Sequence, residues 1–311
     1  MSNLTQRVIT AAVAIPVILA ICMFGGIMFA GFITIISAIA LTEFYAMCRA
    51  KGAHPQVGLG IVAGSCVTLS FYHRELRYYI SGLFEGFGVA IPFPGQEQLL
   101  MIVLLLAAVA LSLAELFRNK GSAILNLSTT IFGILYISLF FGTFVGLREL
   151  FSSFDPPVAG YFLSRIGSDS PEMIYRAGGF TVISIFAMIW ICDSAAFHVG
   201  MAMGRRKLFP RVSPKKSWEG AIAGFAFAII TAIAAKYIVL DYLSLGSAII
   251  LGIIVGIVGQ LGDLMESLLK RDAGVKDSSA LIPGHGGAFD RFDSLLLVSP
   301  VVFLYLDFVV F

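Results

Sequence analysis

The sequence predicts an all-α, polytopic membrane protein with about nine transmembrane helices. Hydrophobic residues make up 58% of its 311 residues and charged residues only 13%, about half the usual fraction. The mean hydropathy of +0.92 is typical of a chain solvated largely by lipid. So few charges cannot cover a soluble surface, and a net charge of +2 gives no reason to expect a nucleic-acid partner.

Nine apolar runs are long enough to form membrane helices. In a bilayer every backbone polar group must be satisfied within its own segment, so a run of about 17 to 25 apolar residues predicts one helix. The third run is short enough to be tilted or partly buried. In chain order the runs cover residues 8–25, 27–47, 57–72, 99–116, 123–146, 179–201, 218–240, 246–268 and 292–311.

The first run follows Arg7 and has the length of a signal peptide. It lacks a small-residue cleavage site, and the second run begins directly after Gly25 and Gly26. We therefore expect it to be retained as a helix. The segments 73–98 and 147–178, between later runs, carry prolines and aromatic residues and are expected to include short interfacial helices.

The distribution of Lys and Arg predicts the orientation. With the N-terminus in the cytoplasm, 15 of the 21 basic residues lie on that side and 5 on the other, with Lys236 inside the seventh run. This arrangement places Phe311 outside. We expect residues 1–178 to form an N-terminal region of about five membrane helices with outer loops. Residues 179–311 then form a catalytic region of about four helices with two cytoplasmic motif loops.

Ionisable groups inside apolar runs indicate functional positions, because they are costly in lipid. Asp263, Glu266 and Ser267 stand at i, i+3 and i+4, so they share one face of the eighth helix near its cytoplasmic end. Asp193 lies late in the sixth run. Glu115, at the end of the fourth run, is interpreted as a snorkelling or capped residue.

The segment after the eighth run has the composition of a phosphate and metal site. Gly286 and Gly287 permit close approach of backbone N–H groups to an anion. Asp263 and Asp290, one on each flank, are hard oxygen ligands suited to Mg²⁺. A basic, membrane-facing loop with a glycine turn is the alternative, which four aspartates and four cations within one short segment disfavour. The compensating cations are Lys270, Arg271, Lys276 and Arg291.

A second polar segment connects the sixth and seventh runs. It is rich in Lys and Arg, which also fits positive-inside charge or an anionic-lipid patch. Its hydroxyl groups favour a nucleotide or headgroup contact instead. The candidate binding residues here are Ser213, Lys215, Lys216 and Ser217, with Asp193 inside the preceding helix.

These two segments together resemble the phosphatidate cytidylyltransferase family, also called CDP-diacylglycerol synthase. The stretch SPKKSWEG, starting at Ser213, is similar to the family's SPKKTWEG, and Ala288 stands where a larger aliphatic residue is usual. The motifs cover about the last 120 residues, and the earlier part matches by membrane pattern alone. The signature positions are Ser267, Lys270, Arg271, Lys276, Asp277, Pro283, His285, Gly286, Gly287, Asp290, Arg291 and Asp293.

The resemblance implies transfer of the cytidylyl group of CTP to phosphatidic acid, giving CDP-diacylglycerol and pyrophosphate. It also implies a centre with Mg²⁺ and K⁺ at Asp263 and Asp290, with the four loop cations on phosphates. Asp277 and Asp293 would orient those cations or support the metal. For His285, proton transfer and a structural or phosphate contact both stay open.

The resemblance further implies a homodimer in the bacterial inner membrane, with the site facing the cytoplasm. The spacing of Gly200 and Gly204 permits close helix packing. Two other functions stay open. A CTP-dependent polyprenol or phytol kinase would transfer the γ-phosphoryl group instead. A secondary transporter would predict repeated halves and polar residues near the bilayer midplane, neither of which the sequence contains.

Overall fold

The computed structural model describes residues 3–86, 93–151, 156–281 and 286–311, and these are mostly helical. The helices are α1 (Asn3–Phe24), α2 (Gly26–Ala50), α3 (Val57–Ser70), α4 (His73–Glu85), α5 (Gln96–Leu116), α6 (Ala123–Gly133), α7 (Leu139–Glu149), α8 (Pro156–Ile166), α9 (Pro171–Met203), α10 (Trp218–Ile238), α11 (Leu245–Asp272) and α12 (Asp293–Tyr305). A short hairpin, β1 (Lys207–Phe209) and β2 (Ser213–Ser217), lies between α9 and α10.

The all-α membrane fold is confirmed, but the count of nine spans is not. Each predicted run lies in a helix. Within the described residues, 7 helical segments are long and apolar enough to cross a membrane. The apolar parts of α1 and α3 are shorter. Helices α4 and α8 do occupy the two segments expected to contain short helices, and their interfacial location stays a prediction.

The fifth run is one long helix with a π-helical turn at Ile134–Ser138 between α6 and α7. A π-turn shifts the backbone hydrogen-bond pattern and leaves a carbonyl free for another partner. Here Thr68 Oγ1 donates to the Ser138 carbonyl oxygen over 2.9 Å, and the Ser37 and Ser138 hydroxyls lie 3.1 Å apart. The turn therefore places a buried polar contact between apolar helices.

The helices group into two compact units. The central unit comprises residues 25–149, and the terminal unit comprises residues 1–24 and 150–311. The sequence instead divided the chain at residue 178, because its motifs begin after that point. Packing places α1 with the C-terminal helices, where Tyr175 Oη donates to the Phe24 carbonyl oxygen over 2.6 Å.

Glycines hold α9, α10 and α11 of the terminal unit in backbone contact. A methyl group at Gly224 would lie 2.8 Å from the Cys192 carbonyl oxygen, and one at Gly252 would lie 2.7 Å from Ile229 Cα. Such small residues allow membrane helices to approach closely. Gly200 and Gly204 pack in the same way against Ser217 of their own chain, so their spacing is used within the chain.

Candidate active site

The two polar segments meet at one ion pair. Lys216 Nζ of strand β2 lies 2.6 Å from Asp263 Oδ2 of helix α11. The hydroxyl of Ser267, one turn later on α11, donates to Asp263 Oδ1 over 3.3 Å. The helical spacing therefore correctly predicted the approach of Ser267, whereas the pairing with Lys216 depends on the tertiary fold.

Hydrogen bonds of neighbouring residues hold Lys216 in position. Ser217 caps α10, since its Oγ accepts from the Gly220 N–H over 3.2 Å. Glu219 accepts from the backbone N–H groups of Arg205 and Arg206 over 3.1 and 3.2 Å. Hydrogen bonds to the first turn of α10 therefore hold the residues that precede β1 and the residue that ends β2. The polar residues of this segment have structural roles that composition did not reveal.

A cavity of about 590 Å³ opens beside the ion pair. Its polar side carries Asp193, Lys215, Lys216 and Asp263, and its apolar side includes Phe197 and Met201, both largely exposed. The volume is in the range of small-molecule sites. The cavity therefore offers charge to a phosphate and an apolar wall to hydrocarbon.

Three aspartates lie close enough to one another at this cavity to interact electrostatically. The charges of Asp193 and Asp293 both act on that of Asp263, and Lys216 is the cation that offsets them. Asp293 begins α12, and its Oδ1 accepts from the N–H of Ser294 over 2.6 Å. These carboxylates are hard oxygen donors of the kind that bind Mg²⁺, and the lysines that line the same cavity suit phosphate oxygens.

A second cluster, largely buried, lies one turn further along α11. Lys270 Nζ is 2.7 Å from Glu266 Oε2 and 2.7 Å from Asp290 Oδ1. The side chains are 11%, 1% and 5% exposed for Lys270, Glu266 and Asp290. Removing Lys270 would leave two buried carboxylates without their cation, and breaking a buried ion pair in this way typically costs about 3 to 5 kcal/mol. Lys270, expected on a phosphate, is therefore also a structural residue.

Asp290 organises the glycine segment around it. Its Oδ2 accepts from the Ser278 N–H and hydroxyl, both over 2.9 Å, and from the Gly287 N–H over 2.8 Å. Burial acts to raise the pKa of Asp290, but hydrogen bonds with Glu266, Lys270 and these N–H groups outweigh it and hold the pKa below its usual range. The carboxylate consequently stays ionised at neutral pH.

Gly286 is required beside this carboxylate. Its φ is +82°, and a methyl group there would lie 2.5 Å from Asp290 Oδ2. The sequence predicted that this segment would turn N–H groups toward an anion. Among the described residues, the anion that receives the Gly287 N–H is the protein's own Asp290.

The remaining predicted residues are less closely associated with the cavity. Arg271 is exposed and donates to the Val275 carbonyl oxygen over 2.9 Å. Lys276, Asp277 and Arg291 are exposed, Ser213 is partly exposed in β2, and His285 lies outside the described residues. The sequence pattern did not single out three further residues, of which Lys207 lines the cavity and lay unnoticed in a run of basic residues. Ser278 has no distinguishing sequence signal, and Gln260, which lines the cavity, is a polar residue inside the eighth apolar run and could have been noted for that reason.

Comparison with known proteins accounts for both polar segments. The sequence profile of the cytidylyltransferase family matches residues 5–309. A phosphatidate cytidylyltransferase of Synechocystis sp. is 32% identical over 307 residues, covering 97% of this chain and 96% of the relative. That of Bacillus subtilis is 29% identical over 309 residues, covering 98% of each. That of Haemophilus influenzae is 40% identical over 167 residues, covering 51% of this chain and 56% of the relative.

The match extends through the membrane helices as well as the motifs. It begins at residue 5 and therefore includes the N-terminal part that the motifs alone did not cover. The resemblance drawn from the two polar segments is confirmed. With both segments joined at one charged cavity and the profile spanning nearly the whole sequence, the chain belongs to the cytidylyltransferase family.

Proposed function

We propose that this protein transfers the cytidylyl group of CTP to phosphatidic acid, producing CDP-diacylglycerol and pyrophosphate. The observation that carries this proposal is the cavity beside the Lys216–Asp263 pair, which combines charged and apolar walls. Its charged side suits a nucleotide phosphate, and its exposed apolar side suits the acyl chains of a membrane lipid. Near-full-length relatives named phosphatidate cytidylyltransferase support the same reaction.

In this reaction a phosphate oxygen of phosphatidic acid attacks the α-phosphorus of CTP. The bond from that phosphorus to the bridging oxygen breaks, and pyrophosphate leaves with the electron pair. Both reactants are anions, so the site must hold them together against repulsion. Lys215 and Lys216 line the cavity and supply positive charge where the phosphates meet. An ionised phosphate nucleophile needs no general base, which leaves His285 without an obligatory proton-transfer role.

The residues at the cavity fit a bound Mg²⁺. Asp263 has a partly exposed side chain, and the charges of Asp193 and Asp293 add to its own. Among the described residues, no three His, Cys, Asp or Glu side chains are grouped closely enough to form a complete metal site. Such a set suits Mg²⁺, which commonly takes only one or two carboxylates together with waters and substrate phosphates. When bound, Mg²⁺ would neutralise phosphate charge in the transition state.

Direct metal ligation by Asp290 stays a prediction, as does K⁺ as a second metal. Both oxygens of Asp290 already accept hydrogen bonds, from Lys270 on one side and from Ser278 and Gly287 on the other. If Asp290 does not bind the metal, its role is to hold Lys270 and the glycine segment in place. Ligation would require at least one of these donors to move.

Residue placement supports a multi-pass protein of the bacterial inner membrane with this site facing the cytoplasm. Both polar segments belong to the side on which 15 basic residues gather. The homodimer also stays a prediction. Gly200 and Gly204, whose spacing permits helix association, contact Ser217 of the same chain, so their spacing is already used within the chain and does not by itself indicate a partner helix.

Product analysis with labelled CTP tests the reaction. The purified protein in phosphatidic acid vesicles is given CTP labelled at the α- or the γ-phosphate. Cytidylyl transfer puts the α-label into lipid and the γ-label into pyrophosphate. A polyprenol or phytol kinase would instead transfer the γ-label to a lipid alcohol and leave the α-label in CDP. Label from the γ-phosphate in lipid would therefore refute the proposal.

A further inference from the structure

A buried carboxylate organises one end of the central unit. Glu115, at the end of α5, accepts from Asn126 Nδ2 over 2.6 Å, from Gln56 Nε2 over 2.7 Å and from Arg118 over 3.2 Å. The sequence pattern predicts that Glu115 is a snorkelling or capped residue, but its side chain is buried, and the residue is only 5% exposed. It is the centre of a network that links α3, α5 and α6.

This network fixes one wall of an open cavity of about 410 Å³. Arg118 is held by Glu115 and by the carbonyl oxygen of His54, 3.0 Å from its Nη1. Arg49 stands on another wall with its side chain exposed. The cavity is therefore a polar recess with two guanidinium groups. Its lining includes Arg49, Pro55, Gln56, Gly58, Leu59 and Arg118.

Two further features of the recess point to a ligand. Gln56 is 6% exposed, and its Oε1 atom is buried with no hydrogen-bond partner among the described residues. A buried acceptor without a donor is unfavourable until a donor reaches it. Gly58 and Leu59 belong to the first turn of α3, where N–H groups have no intrahelical partner and carry partial positive charge. Their neighbour Val57 differs, because its N–H donates to the Pro55 carbonyl oxygen over 3.0 Å.

The position of the recess favours a lipid over a soluble anion. It lies where the candidate spans α2 and α5 end and where the apolar helix α3 begins. Beside it, Leu116 and Phe117 are 75% and 85% exposed. Long apolar helices end near the headgroup level, and exposed apolar side chains there contact acyl chains.

We infer that this recess binds the headgroup of an anionic phospholipid. Arg49 and Arg118 hold the phosphate, and the first turn of α3 adds the N–H groups of Gly58 and Leu59. Gln56 Oε1 accepts from a headgroup hydroxyl, as the glycerol of phosphatidylglycerol would offer. This site lies in the central unit and shares no lining residue with the cavity proposed for the reaction. Lipid binding there makes the protein responsive to the charge of its membrane.

Gly58 provides a matched pair of variants for the test. A side chain added there meets no atom within 4 Å, so Gly58→Asp and Gly58→Asn both fit without a clash. Aspartate brings a carboxylate into the recess, whereas asparagine has the same shape without charge. Both residues are compatible with the first helical turn. Arg49→Gln removes one guanidinium, and Lys120→Gln removes an exposed charge that does not line the recess.

The experiment titrates phosphatidylglycerol into the full chain in detergent and follows bound lipid by native mass spectrometry. Phosphatidylcholine, glycerol 3-phosphate and inorganic phosphate are the comparison ligands. We expect Gly58→Asp and Arg49→Gln each to weaken phosphatidylglycerol binding about tenfold, and Gly58→Asn and Lys120→Gln to leave it unchanged. Equal binding by Gly58→Asp and Gly58→Asn overturns the site.

Phosphatidylcholine binding as tight as phosphatidylglycerol, with the same response to Gly58→Asp, overturns the preference for an anionic headgroup. Glycerol 3-phosphate or inorganic phosphate binding as tightly as the lipid overturns the lipid assignment and favours a soluble anion. The Asp263→Asn variant separates this site from the proposed reaction. It should keep its response to phosphatidylglycerol whether or not it retains activity.

Discussion

Lys216 and Asp263 join two sequence segments through one contact of 2.6 Å between Nζ and Oδ2. Neither side chain is fully buried, so water, a metal ion or a substrate phosphate can reach both. The pair is therefore well placed to open when substrates arrive, with Lys216 moving to a phosphate and Asp263 to a cation. In the absence of ligands, each residue holds the other in position at the cavity.

Replacing Lys216 tests this exchange. Lys216→Gln should lower kcat/KM for CTP by about a hundredfold, because it removes a cation from the place where the phosphates meet. Lys216→Arg should restore part of the loss. Arg211→Gln, an exposed basic residue of the same hairpin, is the matched control and should behave as wild type. Normal kinetics in Lys216→Gln would remove this residue from the site.

The two aspartates of the proposed metal centre can be separated by activity and stability. Asp263→Asn should lower turnover by at least about a hundredfold with little change in melting temperature, since its side chain is partly exposed. Asp290→Asn should lower both, because the amide removes the carboxylate partner of Lys270 and one acceptor oxygen from the hydrogen bonds with Ser278 and Gly287.

A Mg²⁺ titration of the same variants tests shared ligation. If both aspartates serve one metal site, the double variant should be scarcely less active than either single one. Excess Mg²⁺ should also partly rescue a single variant. Additive losses that do not respond to Mg²⁺ would mean that the aspartates act separately, each through its own lysine.

Gly286 and Gly274 form a second matched pair. Both have positive φ, +82° and +73°, so alanine is strained at either position, typically by about 1 to 2 kcal/mol. Only at Gly286 would the methyl group also approach Asp290. Gly286→Ala should therefore lose most cytidylyl transfer and Gly274→Ala only a little. Equal losses in the two variants would show that the contact with Asp290 is unimportant.

The orientation can be tested at the C-terminus. A reporter that is active only outside the cytoplasm, fused after Phe311, should be active. A second reporter, of a kind that is active only in the cytoplasm, should also be active when it is inserted at the hairpin turn near Arg211. Seven or nine crossings give the same result, because both numbers are odd. A cytoplasmic C-terminus would contradict the predicted orientation, because the three candidate spans α10, α11 and α12 would then place the hairpin outside.

The sequence predicted the local features and missed the long-range ones. Helical periodicity was sufficient to place Ser267 beside Asp263. It could not pair Lys216 with Asp263, because that contact requires α9, α10 and α11 to meet at glycines such as Gly224. The sequence also could not predict how exposed each cation is. Arg271 and Arg291 were therefore grouped with Lys270, although only Lys270 belongs to the buried cluster.

The glycine contacts among α9, α10 and α11 also determine how the site responds to its bilayer. When hydrophobic thickness does not match the length of a helix, helices tilt or the surrounding lipid deforms. Helices joined through long, flexible side chains can tilt independently, but backbone contact at Gly224 and Gly252 makes these three tilt together. Hydrophobic mismatch should therefore change the angle of this helix group to the membrane while the distance between Asp193 and Asp263 stays constant.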